Sequence, residues 1–144
     1  GVCGAYQTLG LRISDPHGME AGGDADGLGL LPVTTTLARE KTTRAVAGRT
    51  PGGVQFGGYE IHLGDTRPHC GADIAPFAIL EDGSRDGARV PGVIGTYLHG
   101  ALEQPDVCAE LFGIERPVAS SKTEEYERLA DWFEVNGKTE WCRR

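Results

Sequence analysis

The segment at residues 93–98 constrains the fold most strongly, because it has the clearest strand pattern in the chain and ends at a histidine. It reads Val93-Ile94-Gly95-Thr96-Tyr97-Leu98 and is followed by His99-Gly100. In open α/β sheets, functional side chains follow the carboxyl ends of strands. A helix is predicted next at residues 106–112, with Pro105 at its start, where proline is well tolerated. The pattern therefore predicts an α/β unit with His99 at the functional edge of its sheet.

Shorter strand patterns fill the middle of the chain. We predict strands at residues 30–36, 41–48 and 77–80, where β-branched and apolar residues are bounded by turn residues. Residues 58–64 alternate, which places Tyr59, Ile61 and Leu63 on one face. Pro51-Gly52-Gly53 is typical of a turn, so residues 41–48 and 54–56 are predicted to form a hairpin or meander.

The remaining segments are predicted as loops and a final helix. Residues 15–29 and 69–76 are predicted as loops, since the first is dense in Gly, Asp and Pro. Residues 123–135 have helical spacing, with Ser121 or Thr123 as the cap. The apolar stripe of this helix is formed by Tyr126, Leu129, Ala130 and Phe133. No repeat or linker is visible, so we expect one unit over residues 1–144, with a core at about 1–135 and a tail at 136–144.

Cys3 lies in a pattern typical of a nucleophile elbow. Gly1 and Gly4 lie on either side of Cys3. Tyr6 and Leu9 have helical spacing, so a helix is predicted to begin just after Cys3. Such a sharp strand-to-helix turn projects a reactive atom clear of the sheet. The helix N-terminus favours a thiolate, and its backbone N–H groups can stabilise an oxyanion. The alternative interpretation is that Cys3 is a small apolar residue without a chemical role.

His99 is the candidate base for Cys3. A histidine can take a proton and later return it, and a Cys–His pair can be distant in sequence yet adjacent in the fold. The alternative is a strand-end histidine that bonds to backbone. Glu103 and Glu60 are candidates to orient His99, and neither is favoured by the pattern. His62 alternates with Ile61 and is compatible with a purely structural role.

Composition and charge exclude several classes of function. Hydrophobic residues make up 39% and charged residues 24%, as in globular chains, and the net charge is −7. Lys and Arg form no basic stripe, so no nucleic-acid partner is expected. No apolar run approaches the length of a membrane span and no leader pattern is visible, so a cytoplasmic location is expected. Cys70, Cys108 and Cys142 show no zinc-ligand spacing, and no metal site is predicted.

Five segments occur together in the order found in one enzyme family. They are Gly1-Val2-Cys3-Gly4-Ala5-Tyr6-Gln7-Thr8-Leu9-Gly10, Gly27-Leu28-Gly29-Leu30-Leu31-Pro32-Val33, Lys41-Thr42-Thr43-Arg44, Gly58-Tyr59-Glu60-Ile61-His62-Leu63-Gly64 and Gly95-Thr96-Tyr97-Leu98-His99-Gly100. Over residues 1–135 the chain resembles the glutaminase domain of the cobyric acid synthase branch of class I glutamine amidotransferases. The resemblance implies a flavodoxin-like α/β sheet with flanking helices. It also implies that the N-terminal strands of that domain are missing from this chain, which would be its C-terminal part.

The resemblance implies a mechanism and a set of site residues. Cys3 would attack the side-chain amide of glutamine, and His99 would serve as its base. The Gly4 N–H would be one oxyanion donor, and Gln7 would help to hold the substrate. The segment with Tyr59, Glu60, His62 and Gly64 would flank the α-amino and carboxylate groups of glutamine. Ala101 stands where larger branches of the class have a glutamate, so the pair would act as a dyad or use an acid from elsewhere.

The resemblance also implies partners outside this chain. Ammonia would pass to an N-terminal synthetase domain, fused or separate, in which ATP and magnesium activate carboxylates of adenosylcobyrinate a,c-diamide for amidation in cobalamin biosynthesis. The corrinoid acceptor would be bound mainly there, and no cofactor is expected in this chain. A missing oxyanion donor is costly, so the isolated chain is expected to have little or no activity. The alternatives are a glutaminase part of cobyrinate a,c-diamide synthase or of a lipid II amidotransferase, and a degenerate module without activity.

Overall fold

The computed structural model describes residues 1–114 and 122–137. Its helices are α1 (Gly4–Leu9), α2 (Pro105–Phe112) and α3 (Lys122–Asn136). Its strands are β1 (Arg12–Asp15), β2 (Gly23–Asp26), β3 (Val33–Arg49), β4 (Gln55–Pro68), β5 (Ala78–Leu80), β6 (Arg85–Asp86), β7 (Ala88–Val90), β8 (Val93–Gly95) and β9 (Leu98–His99). Short 3₁₀ turns span His69–Gly71 and Ala101–Glu103. The α/β class with a central sheet and flanking helices is confirmed.

The central sheet is mixed, and its strand order is β2-β1-β3-β4-β9. The β1–β3 pair is parallel, whereas β3–β4 and β4–β9 are antiparallel. Strands β5 and β6 extend this sheet beyond β3, and β7 and β8 form a separate two-stranded sheet. The predicted hairpin is confirmed, since β3 and β4 pair from Arg49 and Gln55 onward across the turn at residues 50–54. No helix in the described ranges is both long and apolar enough to cross a bilayer.

The two strands predicted at residues 30–36 and 41–48 are one long strand, β3. Its register against β4 shifts between Leu37 and Thr42, and the residues between them bulge out of the ladder. The sequence pattern breaks there because bulged residues do not keep the two-residue alternation. The loop predicted at residues 15–29 also contains a strand, β2. This exposed strand pairs with β1, and Arg12 binds Asp24 across the pair at 2.6 Å.

The strand predicted at residues 93–98 is divided into β8 and β9, because its backbone changes partners along its length. β8 pairs with β7, the Thr96 region pairs with the start of the chain, and β9 pairs with β4. Tyr97 and Leu98 are buried in different core clusters. Tyr97 packs with Tyr6, Leu31 and Val33, while Leu98 packs in the cluster that holds Phe56, Phe77 and Val107. The segment before His99 is therefore fixed from both faces.

The predicted helices are present, but the apolar stripe of α3 is largely exposed among the residues that the structure describes. Helix α2 is confirmed, with Pro105 in its first turn and Gly113 in a left-handed conformation at its end. In α3, Tyr126, Leu129 and Phe133 are 68%, 50% and 57% exposed. Ser121, one of the predicted caps, and residues 138–144 of the predicted tail lie outside the described residues.

Candidate active site

Cys3 occupies the sharp corner between the start of the chain and α1. Its backbone has φ 55° and ψ −118°, a region that residues with a side chain rarely adopt. Such a conformation costs on the order of 1–3 kcal/mol and persists only where the surroundings impose it. Here the Cys3 N–H donates to Thr96 O at 2.9 Å, and Val2 forms a parallel bridge with Thr96. The predicted sharp turn into a helix at Cys3 is thus present, and the segment before it contributes an isolated bridge at Val2 rather than a strand.

Gly1 is required at this corner by close packing. A Cβ at Gly1 would lie 2.7 Å from Leu9 Cδ1 and 2.9 Å from the Ala5 carbonyl carbon. Helix α1 therefore folds back directly over the segment that precedes Cys3. A Cβ at Gly4, in contrast, would meet nothing within 4 Å. The space over the first turn of α1 is open, and a small substrate can reach it.

His99 is held at the end of β9 by its strand partner. Tyr59 pairs with His99 in the β4–β9 ladder, and the two rings stack with centroids 5.0 Å apart and an interplanar angle of 10°. The strand ends here because Gly100 has φ 84°, a left-handed conformation that favours glycine. His99 Nε2 is buried and has no hydrogen-bond partner in the described part of the chain. A buried nitrogen without a partner is costly, and such costs are typical of functional sites.

Cys3 contacts the same two parts of the chain that hold His99. These are the residues just before His99 and strand β4. The Cys3 amide binds the carbonyl of Thr96, three residues before His99. The Cys3 Sγ lies 3.5 Å from Ile61 O, two residues along β4 from the Tyr59 that stacks on His99. The thiol bonds to this carbonyl rather than to His99 Nε2. Catalytic hydrogen bonds are often long or poorly aligned before substrate binds and tighten in the complex, so this geometry does not exclude a Cys–His pair.

Gln7 belongs to a hydrogen-bond network beside Cys3, one helical turn along α1. Its Nε2 donates to Tyr97 Oη at 3.3 Å, and Tyr97 Oη lies 2.5 Å from Thr66 Oγ1. Burial raises the pKa of Tyr97, so its hydroxyl stays protonated. Gly64 allows the close approach, because a Cβ there would lie 2.4 Å from both Gln7 Nε2 and Tyr97 Oη.

Glu60 is committed to an ion pair. It is 6% exposed, and its Oε2 accepts from Arg44 Nε at 2.6 Å across the β3–β4 ladder. Arg44 also donates to Asp82 at 3.0 Å. Arg44 comes from the Lys41-Thr42-Thr43-Arg44 segment, so this segment fixes Glu60. Glu103 lies in the 3₁₀ turn after Gly100. That Glu103 or Glu60 orients His99 stays a prediction.

His62 and Gly64 line a cavity of about 460 Å³ together with Glu60 and Tyr97. Cys3, His99, Gln7 and Tyr59 do not line this cavity. The His62 Nδ1–H donates to Gly64 O at 2.8 Å, and the ring stacks on Tyr97 with centroids 3.8 Å apart. His62 therefore has structural contacts as well as access to the cavity. The structure places the predicted site residues in two adjoining groups, one around Cys3 and one around this cavity, with Gln7 and Tyr97 between them.

Asp86 is a buried group that the sequence pattern did not reveal. It is 6% exposed, accepts from the Thr96 hydroxyl and accepts from Tyr97 N at 3.3 Å. Burial raises its pKa to about 6. In sequence it sits in Arg85-Asp86-Gly87, which is typical of an exposed turn, and only the neighbouring segment with His99 gives any hint of a role. Cys70 and Cys108, which show no zinc-ligand spacing in the sequence, are free thiols.

Comparison with known proteins identifies the family. Residues 1–107 match the family of the CobB/CobQ-like glutamine amidotransferase domain. A cobyric acid synthase of Rhizorhabdus wittichii is 43% identical over 143 residues, which cover 93% of this chain and 29% of that protein. A cobyric acid synthase of Sphingopyxis alaskensis is 50% identical over 109 residues, covering 73% of this chain and 22% of that protein. The chain thus spans less than a third of either relative. It belongs to the family of CobB/CobQ-like glutamine amidotransferase domains.

Proposed function

We propose that this chain carries the glutamine-hydrolysing part of a cobyric acid synthase, with Cys3 as nucleophile and His99 as base. The observation that carries the proposal is the strained corner at Cys3. A cysteine at φ 55° is held by the Thr96 carbonyl, and three residues after Thr96 stands a histidine whose Nε2 is buried without a partner in the described residues. Strain and an unpaired buried nitrogen are both costly, and selection for chemistry explains why they occur together.

The reaction balances as two acyl transfers. Cys3 Sγ forms a bond to the amide carbon of glutamine, while His99 takes the thiol proton and delivers it to the departing nitrogen, so that ammonia leaves. A water molecule then attacks the thioester carbon, His99 takes a proton from it, and the carbon–sulfur bond breaks. Glutamate leaves and the proton returns to Cys3. The Gly4 N–H, at the open first turn of α1, is proposed as one donor to the oxyanion.

The substrate is proposed to lie between the two groups of site residues. Gln7, Tyr59, Glu60, His62 and Gly64 are the proposed contacts. Gln7 bridges the Cys3 helix and the cavity through Tyr97, which supports this placement. Glu60 is already paired with Arg44. Its proposed role is therefore to neutralise the positive charge of Arg44 beside the cavity rather than to accept or donate a proton.

The ammonia is proposed to serve a synthetase domain outside the 144 residues. The two relatives are more than three times as long as the part that this chain matches, which supports a fused synthetase domain. That domain would use ATP and magnesium to activate carboxylates of a corrinoid, adenosylcobyrinate a,c-diamide. The glutaminase strands that complete the oxyanion hole are proposed to come from the same longer polypeptide or from a separate chain.

Glutamine hydrolysis by the assembled enzyme tests this proposal. The assembled enzyme is this chain together with the proposed synthetase domain and the further glutaminase strands. Release of glutamate is measured for the wild type, Cys3→Ser, His99→Ala and the matched control Cys108→Ser. We expect Cys3→Ser to abolish hydrolysis and His99→Ala to slow it about 10²–10⁴-fold, the usual contribution of a general base. The Cys108→Ser variant should retain wild-type rates. Hydrolysis by Cys3→Ser at the wild-type rate would refute the proposal.

A further inference from the structure

Asp86 holds the backbone to which both proposed reactive side chains are attached. Its Oδ1 accepts the hydroxyl proton of Thr96 and its Oδ2 accepts from Tyr97 N at 3.3 Å. Both side chains of the first contact are buried, with Asp86 6% and Thr96 1% exposed. Hydrogen bonds to a charged acceptor are among the strongest in proteins. The segment before His99 is therefore anchored to a carboxylate on β6.

The Thr96 hydroxyl passes this constraint on to His99. A hydroxyl has one proton, and here it points to Asp86, so a lone pair is left for the N–H of Leu98, which donates to Thr96 Oγ1 at 3.0 Å. Leu98 is the residue directly before His99 in β9. A carboxylate at position 86 thus fixes which way the hydroxyl points, and through it the turn that brings the chain into β9.

The same segment holds Cys3. The Thr96 carbonyl accepts the Cys3 N–H at 2.9 Å, and Thr96 N donates to Gly1 O at 3.1 Å. These two bonds hold the backbone that leads directly into Cys3, the residue with φ 55°. Since a strained conformation persists only where its surroundings impose it, a shift of Thr96 would let Cys3 relax.

The chain around Asp86 is built for close approach to Thr96. A Cβ at Gly87 would lie 2.4 Å from Gly95 O and 3.3 Å from Thr96 Cα. Gly87 has φ 74°, which also favours glycine. Gly95 in turn permits contact with the ring of Tyr6, since a Cβ there would lie 2.0 Å from Tyr6 Cδ2. The glycine at position 87 therefore lets the chain next to Asp86 approach the segment between β8 and β9.

We propose that Asp86 is a positioning residue: through the Thr96 hydroxyl and the Tyr97 amide it holds Cys3 and His99 in the geometry needed for attack on glutamine. The proposal rests on the proposed glutaminase function for its chemical consequence, but the constraint on the backbone is independent of it. Asp86 lines the same cavity as His62 and Glu60, but its two carboxylate oxygens are already engaged by the Thr96 hydroxyl and the Tyr97 amide. It acts through the Thr96–Leu98 backbone.

The test compares Asp86→Asn, Thr96→Val and their double variant with a matched control, Thr50→Val. Thr50 is also 1% exposed, and its hydroxyl also bonds to a carboxylate, that of Glu110, while accepting Val54 N at 3.1 Å. It lies in the β3–β4 turn, away from Cys3. Two readouts are taken on the full chain in the assembled enzyme. One is the rate at which a glutamine-like diazoketone labels Cys3, and the other is hydrogen exchange in peptides that cover residues 1–6 and 96–99.

Asp86→Asn leaves one acceptor oxygen for two donors, and Thr96→Val removes the hydroxyl. We expect each to slow Cys3 labelling and to speed exchange in both peptides by about tenfold or more, as loss of one hydrogen bond to a charged group implies. The double variant should be no worse than the poorer single variant, because both substitutions disrupt the same contact between Asp86 and Thr96. In glutamine hydrolysis, kcat should fall while KM changes little. Thr50→Val should lose stability without slowing Cys3 labelling.

Two results would overturn the proposal: labelling and exchange in Asp86→Asn at wild-type rates, or an equal loss of labelling in Thr50→Val, which would indicate general destabilisation. Failure of the diazoketone to label Cys3 in the wild type would instead refute the glutaminase function. In that case the exchange rates still decide whether Asp86 holds the two segments, with unchanged rates in Asp86→Asn counting against it.

Discussion

At the scale of single residues, the site is defined by groups that are held in costly states. Cys3 has a backbone conformation that a side chain disfavours, and His99 Nε2 lacks a partner among the described residues. Both residues are candidates that the sequence indicates, because the elbow pattern and the strand-end histidine are local signals, and their roles stay a prediction. Asp86, Tyr97 and Thr66 could not be predicted, since their roles depend on contacts between segments far apart in the chain.

The stacking of Tyr59 on His99 gives the first prediction. Tyr59→Ala removes the ring that lies 5.0 Å from the imidazole, whereas Tyr59→Phe keeps it. Ring pairs contribute about 0.5–1.5 kcal/mol, so we expect Tyr59→Ala to reduce the rate of glutamine hydrolysis about threefold to tenfold. Tyr59→Phe should stay close to the wild type. Equal losses in the two variants, measured as kcat/KM, would show that the hydroxyl rather than the ring matters.

The raised pKa of Asp86 predicts a pH dependence of stability. Burial raises its pKa from 3.8 to about 6, so between these values the folded chain binds more protons than the unfolded chain. The stability contributed by this carboxyl is therefore present at low pH and is lost as pH rises through about 6. From pH 5 to pH 7.5 the wild type should lose about 1–1.5 kcal/mol relative to Asp86→Asn.

Urea denaturation of both proteins at the two pH values measures this difference. The nearby charges Glu60 and Arg44 are present in both proteins, so their own contributions cancel in the comparison. If the free energies of unfolding changed in parallel for the two proteins, the carboxyl would have an ordinary pKa in the folded state.

At the scale of elements, the central feature is a segment that has three different pairing partners within a few residues. Residues 93–99 pair with β7, then with the start of the chain, then with β4. The sequence predicted a single strand, because β-branched residues and alternation do not encode which strand lies alongside. The bulge in β3 was missed for a related reason. Leu37 and Thr42 both pair with β4, and the local sequence does not show that one partner strand continues across the residues between them.

Packing at β8 gives an element-scale prediction. A Cβ at Gly95 would lie 2.0 Å from the Tyr6 ring, so Gly95→Ala must displace α1 or β8. Overpacking of this kind costs about 1–3 kcal/mol. Gly57→Ala is the matched control, because a Cβ at Gly57 in β4 would meet nothing within 4 Å. Thermal unfolding should show a lower melting temperature for Gly95→Ala alone, and similar values for the two variants would contradict the close packing of α1 on β8.

At the scale of the whole molecule, apolar surface remains open beside the proposed site. Tyr59 is 50% and Ile61 36% exposed, and both lie on the part of β4 that contacts His99 and Cys3. The fold class and the family could be predicted from five short segments in their order. The mixed pairing of the sheet could not be predicted, because it depends on long-range contacts that no single segment encodes.

The exposed surface around Tyr59 and Ile61 is where further glutaminase strands would be expected to pack. This gives a prediction for the activity of the purified 144-residue chain. If further strands complete the oxyanion hole, the chain alone lacks a donor, which costs about 10²–10³ in kcat. We expect its glutamine hydrolysis to be slower by at least this factor than that of the assembled enzyme, measured as glutamate released per site. Hydrolysis by the isolated chain at the rate of the assembled enzyme would show that these residues form the complete site.

The most direct test of the account is the labelling of Cys3 by a glutamine-like diazoketone in the assembled enzyme, followed by mass spectrometry of each cysteine-containing peptide. The account predicts one label per chain on Cys3, protection by glutamine, slower labelling in His99→Ala and none in Cys3→Ser. Labelling that spreads equally to Cys70 and Cys108, or that glutamine does not block, would contradict the central claim that the strained corner at Cys3 is the glutamine site.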